Sequence, residues 1–104
     1  MGTTFTAMVV AFVLINTTPD RTAALAAELA ELPHVAEVYS TAGQFDLVAI
    51  VRVRQHDELA DAVTGEIAKL TGITHTQTLI AFRSYTRSDV EAPWSIGSPG
   101  GESD

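Results

Sequence analysis

The sequence predicts an α+β domain with the element order βαββαβ, and three observations carry that expectation. Apolar residues switch between strand-like runs and helical spacing in that order along the chain. Proline and glycine stand where the period changes. Two of the strand-like runs are apolar on both faces, which marks them as central in a sheet. The chain has 104 residues, 46% hydrophobic and 18% charged, which suits one globular domain large enough for a core.

Residues 8–16 (MVVAFVLIN) form a continuous run rich in β-branched and aromatic residues, the first strand. The run lacks a basic leader and is too short to cross a bilayer as a helix, so no membrane is expected. The preceding Met1–Gly2–Thr3–Thr4–Phe5–Thr6 fits the loose N-myristoylation pattern, which short sequences match readily by chance. Thr18 and Pro19 read as helix cap and first helical position, with Asp20 suited to the first turn. Leu25, Leu29 and Leu32 then share one stripe of a helix that Pro33 stops.

Residues 34–41 (HVAEVYST) read as the second strand, Ala42–Gly43–Gln44 as a turn, and 45–53 (FDLVAIVRV) as the third strand. Leu59, Val63, Ile67 and Leu70 place a second helix over about 56–71, its cap open among Gln55, His56 and Asp57. Gly72 ends it, and the fourth strand runs from Ile73 to about Tyr85. The expected domain is therefore residues 1–86, followed by an acidic, Pro/Gly/Ser-rich tail at 87–104.

This order is the ferredoxin-like, split-βαβ arrangement, with strands one and three central and both helices on one face. Strand one offers Val9, Ala11, Val13 and Ile15 to one side and Val10, Phe12 and Leu14 to the other. Strand three does the same, with Phe45, Leu47, Ala49, Val51 and Val53 against Val48 and Ile50. The side without helices would thus expose an apolar patch of several hundred Å², large for a monomer. A second copy packed sheet on sheet covers it most simply, so a homodimer is expected. The competing cover is the tail folding back through Val90, Trp94 and Ile96.

With 13 acidic against 6 basic residues the formal charge is −7, which argues against a broad phosphate-facing surface and against an anionic membrane. The absence of cysteine excludes disulfides, thiolate nucleophiles and Cys-ligated metals, and is compatible with a cytoplasmic location. His34, His56 and His75 show no metal-ligand spacing, and no phosphate-binding or nucleophile motif occurs. Neither a metal nor a cofactor is expected. Asp57, Glu58, Asp61 and Glu66 read as the solvated face of the second helix, and Thr74, Thr76 and Thr78 as one strand face.

The segment with binding chemistry is the hairpin Tyr39–Ser40–Thr41–Ala42–Gly43–Gln44–Phe45–Asp46. Gly43 permits a positive φ that turns backbone N–H groups outward, as a carboxylate requires. Asp46 supplies an acceptor for an ammonium, so the pair suits an α-amino acid. A Gly turn whose aspartate bonds locally accounts for the same residues.

This hairpin resembles the effector-binding (RAM) domain of the leucine-responsive Lrp/AsnC regulators. The matching pieces are Gly43–Gln44–Phe45–Asp46 followed by LVAIVRV, the helix end Lys69–Ile73, and Thr76–Gln77–Thr78, in order over about residues 8–85. The resemblance implies face-to-face sheet dimers, a dimeric α/β barrel, assembled further into rings such as octamers. It implies a non-enzymatic sensor that takes a small effector, usually an amino acid, between dimers. Gly43 would shape the turn, Asp46 would receive the ammonium, and Thr76 and Thr78 would offer hydroxyls from a neighbouring subunit. Tyr39 and Gln44 would line the walls. Full-length members carry an N-terminal helix-turn-helix, whereas here the first strand begins within ten residues. A stand-alone sensor is expected, without direct DNA contact, able to co-assemble with a full-length regulator. The alternatives are a small dimeric barrel enzyme of monooxygenase or isomerase type, which requires a buried His75 in a closed pocket, and a purely structural oligomerisation module.

Overall fold

The computed structural model describes residues 8–87. The myristoylation-like segment lies outside them, as does all of the acidic tail except Arg87. Strands β1 (Val9–Thr17), β2 (Val35–Ser40), β3 (Leu47–Val53) and β4 (Ile73–Ile80) form one antiparallel sheet in the order β2-β3-β1-β4. Helices α1 (Thr22–Ala30) and α2 (His56–Ala60) connect them. The expected α+β topology, with β1 and β3 central, is the one observed.

The core lies on the helix side. Ala11, Val13 and Ile15 of β1 and Leu47, Ala49, Val51 and Val53 of β3 pack there with Leu25, Leu29, Leu59, Ala62 and Ile67. Each fully buried leucine or isoleucine contributes about 1.5–3 kcal/mol through removal from water. Period 2 along the strands puts the alternate residues on the open side, where Phe12, Tyr39 and Leu79 are exposed. Phe12 stands opposite Leu79, and Tyr39 opposite Val48. Arg52 and Glu37, opposite Val10 and Ile50 respectively, interrupt this face, while Ile50 itself is buried.

The element ends differ from the sequence expectations for local reasons. Thr18 is extended and its side chain caps nothing; Pro19–Arg21 make one 3₁₀ turn before α1 starts at Thr22. The Thr18 carbonyl closes that turn by accepting from the Arg21 N–H at 2.9 Å. Helix α1 stops at Ala30, and Leu32 packs on the core from the turn beyond it. Strand β3 begins at Leu47, so Phe45 and Asp46 belong to the turn. Strand β4 ends at Ile80 rather than near Tyr85. Its ladder closes with the Ala81 N–H on the Val10 carbonyl, one residue from the start of β1 at Val9.

Gln55 resolves the cap of the second helix. It is extended, and the Glu58 carboxylate reaches back to the N–H groups of Arg54 (2.9 Å) and Gln55 (3.3 Å). The helix does not stay α-helical to 71. Residues Asp61–Ile67 widen to π hydrogen bonding, with the Ala68 N–H on the Val63 carbonyl. The Thr64 hydroxyl takes up the Ala60 carbonyl at 2.6 Å and Gly65 follows, a pair that weakens the regular ladder. Gly72, at φ +102°, ends the connection.

Candidate functional site

The turn between β2 and β3 is held from several sides. The Thr41 N–H donates to the Asp46 carbonyl (3.0 Å) and the Thr41 hydroxyl to the Phe45 carbonyl (2.8 Å), closing the loop on itself. Asn16 Nδ2 donates to the Gln44 carbonyl at 2.7 Å, and the Asp46 N–H donates to the Ile15 carbonyl at 2.9 Å. Gly43 sits at φ +126° with open space where a Cβ would stand, so its glycine answers a backbone need, not a packing need. The N–H groups of Ala42, Gly43, Gln44 and Phe45 make no hydrogen bond among the described residues. The carbonyls of Gln44, Phe45 and Asp46 are thus occupied while the N–H groups of residues 42–45 are left without a partner among the described residues, donors that an anion can use.

Asp46 is half-buried and has a structural partner: its Oδ2 accepts from the Thr17 N–H at 2.8 Å. The bond runs to the end of β1, 29 residues away in sequence. Among the described residues no hydrogen bond reaches Oδ1. One carboxylate oxygen therefore orients the side chain and the other is available to a cation.

The β4 threonines divide. Thr76 and Thr78 stand opposite Ile15 and Val13, on the helix side, and are half-buried. Thr74 drops out of their ladder. The register shifts between Asn16 and Thr17, which pair with His75 and Ile73, and Thr74 is the unpaired, exposed residue of the bulge. His75, opposite Asn16 and one residue before Thr76, lies on the open side, where its ring stacks on Phe45 with centroids 6.4 Å apart. His75 is exposed, so the closed pocket that the enzyme alternative requires is not formed around it.

The six expected site residues thus fall into three groups. Gly43, Gln44 and Asp46 share the turn at the end of β1. Thr76 and Thr78 lie across β1 from it, joined to the turn through Phe45 and His75. Tyr39 lies apart, on the open face of β2 with β3 and β1 between it and β4. Asn16 and Thr17 are additions to the sequence reading, which considers His75 only for the enzyme alternative. Their roles come from tertiary pairing, and only the polar end of the first apolar run hinted at them. Among the described residues no cluster of three or more His, Asp or Glu could hold a metal, and no helix is long and apolar enough to cross a membrane.

A family model described as the Lrp/AsnC ligand binding domain matches residues 10–90. The transcriptional regulator FL11 of Pyrococcus horikoshii, a helix-turn-helix protein, is 29% identical over 75 residues, 72% of this chain and 49% of its own length. The chain therefore spans about half the length of the curated relatives it matches. The crystal structure of TTHA0845 from Thermus thermophilus is 52% identical, with a TM-score of 0.72, covering 76% of this chain and 99% of that one. A Neisseria meningitidis transcriptional regulator, NMB0573, solved as a complex with L-Met, shares the fold at 17% identity and a TM-score of 0.67, covering 77% of this chain and 55% of that one.

Proposed function

The chain belongs to the Lrp/AsnC ligand-binding domain family, and from that premise we propose that it senses a free amino acid in a cleft completed by neighbouring copies. The family makes it a regulatory ligand-binding domain, and its relatives are transcriptional regulators rather than enzymes. The observation that supports an amino acid is the turn at 42–46: four N–H groups and the Asp46 Oδ1 oxygen, none of them with a hydrogen bond among the described residues. The donors suit an α-carboxylate and Asp46 Oδ1 suits an α-ammonium. The neisserial complex with L-Met is a member of the same fold with an amino acid bound.

On this reading the open face, with Phe12, Tyr39 and Leu79, packs against the same face of a second copy to give the dimer. Dimers then assemble into a ring, octamer-like, in which Thr76 and Thr78 of one copy meet the turn of another. Tyr39 and Gln44 serve as walls. The effector acts by linkage, stabilising the assembly that completes its site. The domain acts in the cytoplasm and reaches DNA through co-assembly with a longer regulator of the same family, not by its own contact.

Titration with a panel of the natural amino acids, followed by light scattering and by melting temperature, tests the proposal. At least one amino acid should raise both the mass and the melting temperature, and Asp46→Ala should abolish the response. A panel that changes neither quantity would overturn the reading.

A further inference from the structure

A hydrogen-bonded hub at the start of α1 joins the turn to strand β4. The Thr17 N–H holds Asp46 Oδ2 at 2.8 Å. The Thr17 hydroxyl lies 2.6 Å from the Thr22 hydroxyl, which donates to the Thr18 carbonyl at 3.4 Å; the Thr17 hydroxyl is then the donor to Thr22. The Thr18 N–H donates to the Gly72 carbonyl at 2.8 Å, and Arg21 Nε donates to the Thr71 carbonyl at 3.0 Å. Arg21 also lies flat over Gly72, where an added Cβ would come within 2.7 Å of Arg21 Cγ, and its Nη2 bonds both oxygens of Glu28 on α1. Gly72 leads directly into Ile73, which pairs with Thr17.

Two features mark this hub as more than an ordinary helix start. Thr17 is the one buried polar residue among the described residues, and it uses both its N–H and its hydroxyl. Thr22 is the first residue of α1, with Arg21 at the cap position, and its hydroxyl bonds back to both Thr17 and Thr18 at the end of β1. These bonds tie the end of β1, the start of α1 and the entry to β4 together.

We propose that Thr22 is a positioning residue for the effector site. Through Thr17 it fixes the Asp46 carboxylate, and through Thr18 it fixes the entry to β4, so that the turn and Thr76, which one copy contributes to two neighbouring sites, keep one relative geometry. The role for the effector rests on the amino-acid reading above, whereas the mechanical coupling does not. The hydroxyl pair sets the position of the Thr17 N–H, that N–H sets the rotamer of Asp46, and Oδ1 is thereby aimed.

Amide hydrogen exchange by NMR on the full chain tests the coupling without any ligand. Thr22→Val keeps the shape and removes the hydroxyl. The Thr17 and Asp46 amides should exchange at least about tenfold faster, with Ala49 and Val51 in the central strand within about twofold of the unaltered chain. Thr22→Ser should restore protection, and Thr17→Val, which cuts the same bond from the other side, should reproduce the loss. Unchanged exchange at Thr17 and Asp46, an equal rise at Ala49 and Val51, or no rescue by serine would each overturn the positioning role. L-methionine titration supplies the second arm: Thr22→Val should weaken binding at least about fivefold with the melting temperature kept, and equal binding by both chains would overturn the role at the site. Absence of L-methionine binding by the unaltered chain counts against the effector reading for that amino acid and leaves exchange to decide the coupling.

Discussion

The Phe45 ring stacks on His75 with centroids 6.4 Å apart and planes 20° apart, tying the β2–β3 turn to the first residues of β4. His75 keeps the regular register of β4, opposite Asn16, and alternation with Thr76 places it on the open side of the sheet. A double-mutant cycle with Phe45→Ala and His75→Ala should give a coupling of about 0.5–1 kcal/mol in urea unfolding. Simple additivity of the two would show that the rings do not support one another.

Asp46 has two separable duties, and two substitutions divide them. Asparagine keeps an acceptor for the Thr17 N–H, whereas alanine leaves that half-buried donor unmet. Asp46→Ala should cost about 1–2 kcal/mol of unfolding free energy and Asp46→Asn less than about half of that. Both should lose the amino-acid response, because both lack the negative charge. Calorimetric titration beside denaturant unfolding reads the two duties separately.

The two positive-φ glycines should differ. Gly43 has open space around it, so Gly43→Ala carries backbone strain alone, about 1 kcal/mol. Gly72→Ala adds a collision with Arg21 at 2.7 Å and should cost about 2–3 kcal/mol. A lower melting temperature for Gly43→Ala than for Gly72→Ala would contradict this ranking.

Phe12 sits in the middle of the open face, opposite both Leu79 and Ile50. Phe12→Lys should leave the helix-side core intact and prevent a second copy from docking there. Sedimentation equilibrium at micromolar concentration should show the dimer or a larger assembly for the unaltered chain and a folded monomer for the variant. A monomeric unaltered chain would remove the basis for any site between copies.

Glu58 contributes to stability in a pH-dependent way. The Arg54 N–H bonded to its carboxylate holds its pKa below the ordinary glutamate value, against a smaller opposing effect of burial. A depressed folded-state pKa contributes stability above the unfolded value, and that contribution disappears as the pH falls through the folded one. The melting temperature of Glu58→Gln should therefore fall less between neutral pH and pH 3 than that of the unaltered chain.

Much of the fold was legible in the sequence because periodicity is local. The alternation of Val9, Ala11, Val13 and Ile15 with Val10, Phe12 and Leu14 announced a central strand, and the faces are divided in that way. Leu25, Leu29, Leu59 and Ile67, set at helical spacing, are buried. The ends of the elements were less legible. The stop of β4 at Ile80 depends on where β1 begins, and the π segment at Asp61–Ile67 on the bond from Thr64 to Ala60.

The sequence by itself determined the order of the elements, the two-sided apolar character of β1 and β3, and the turn that glycine requires at position 43. Each follows from forces between near neighbours along the chain, namely burial pattern, propensity and the freedom of a residue without a Cβ. Only the tertiary structure decided that Asp46 serves Thr17, that Thr74 leaves the ladder of Thr76 and Thr78, and that Thr22 turns back to β1. The bond from Thr17 to Asp46 joins residues 29 positions apart and the irregularity at Thr74 joins β1 to β4, and both exist only once the strands have paired in register.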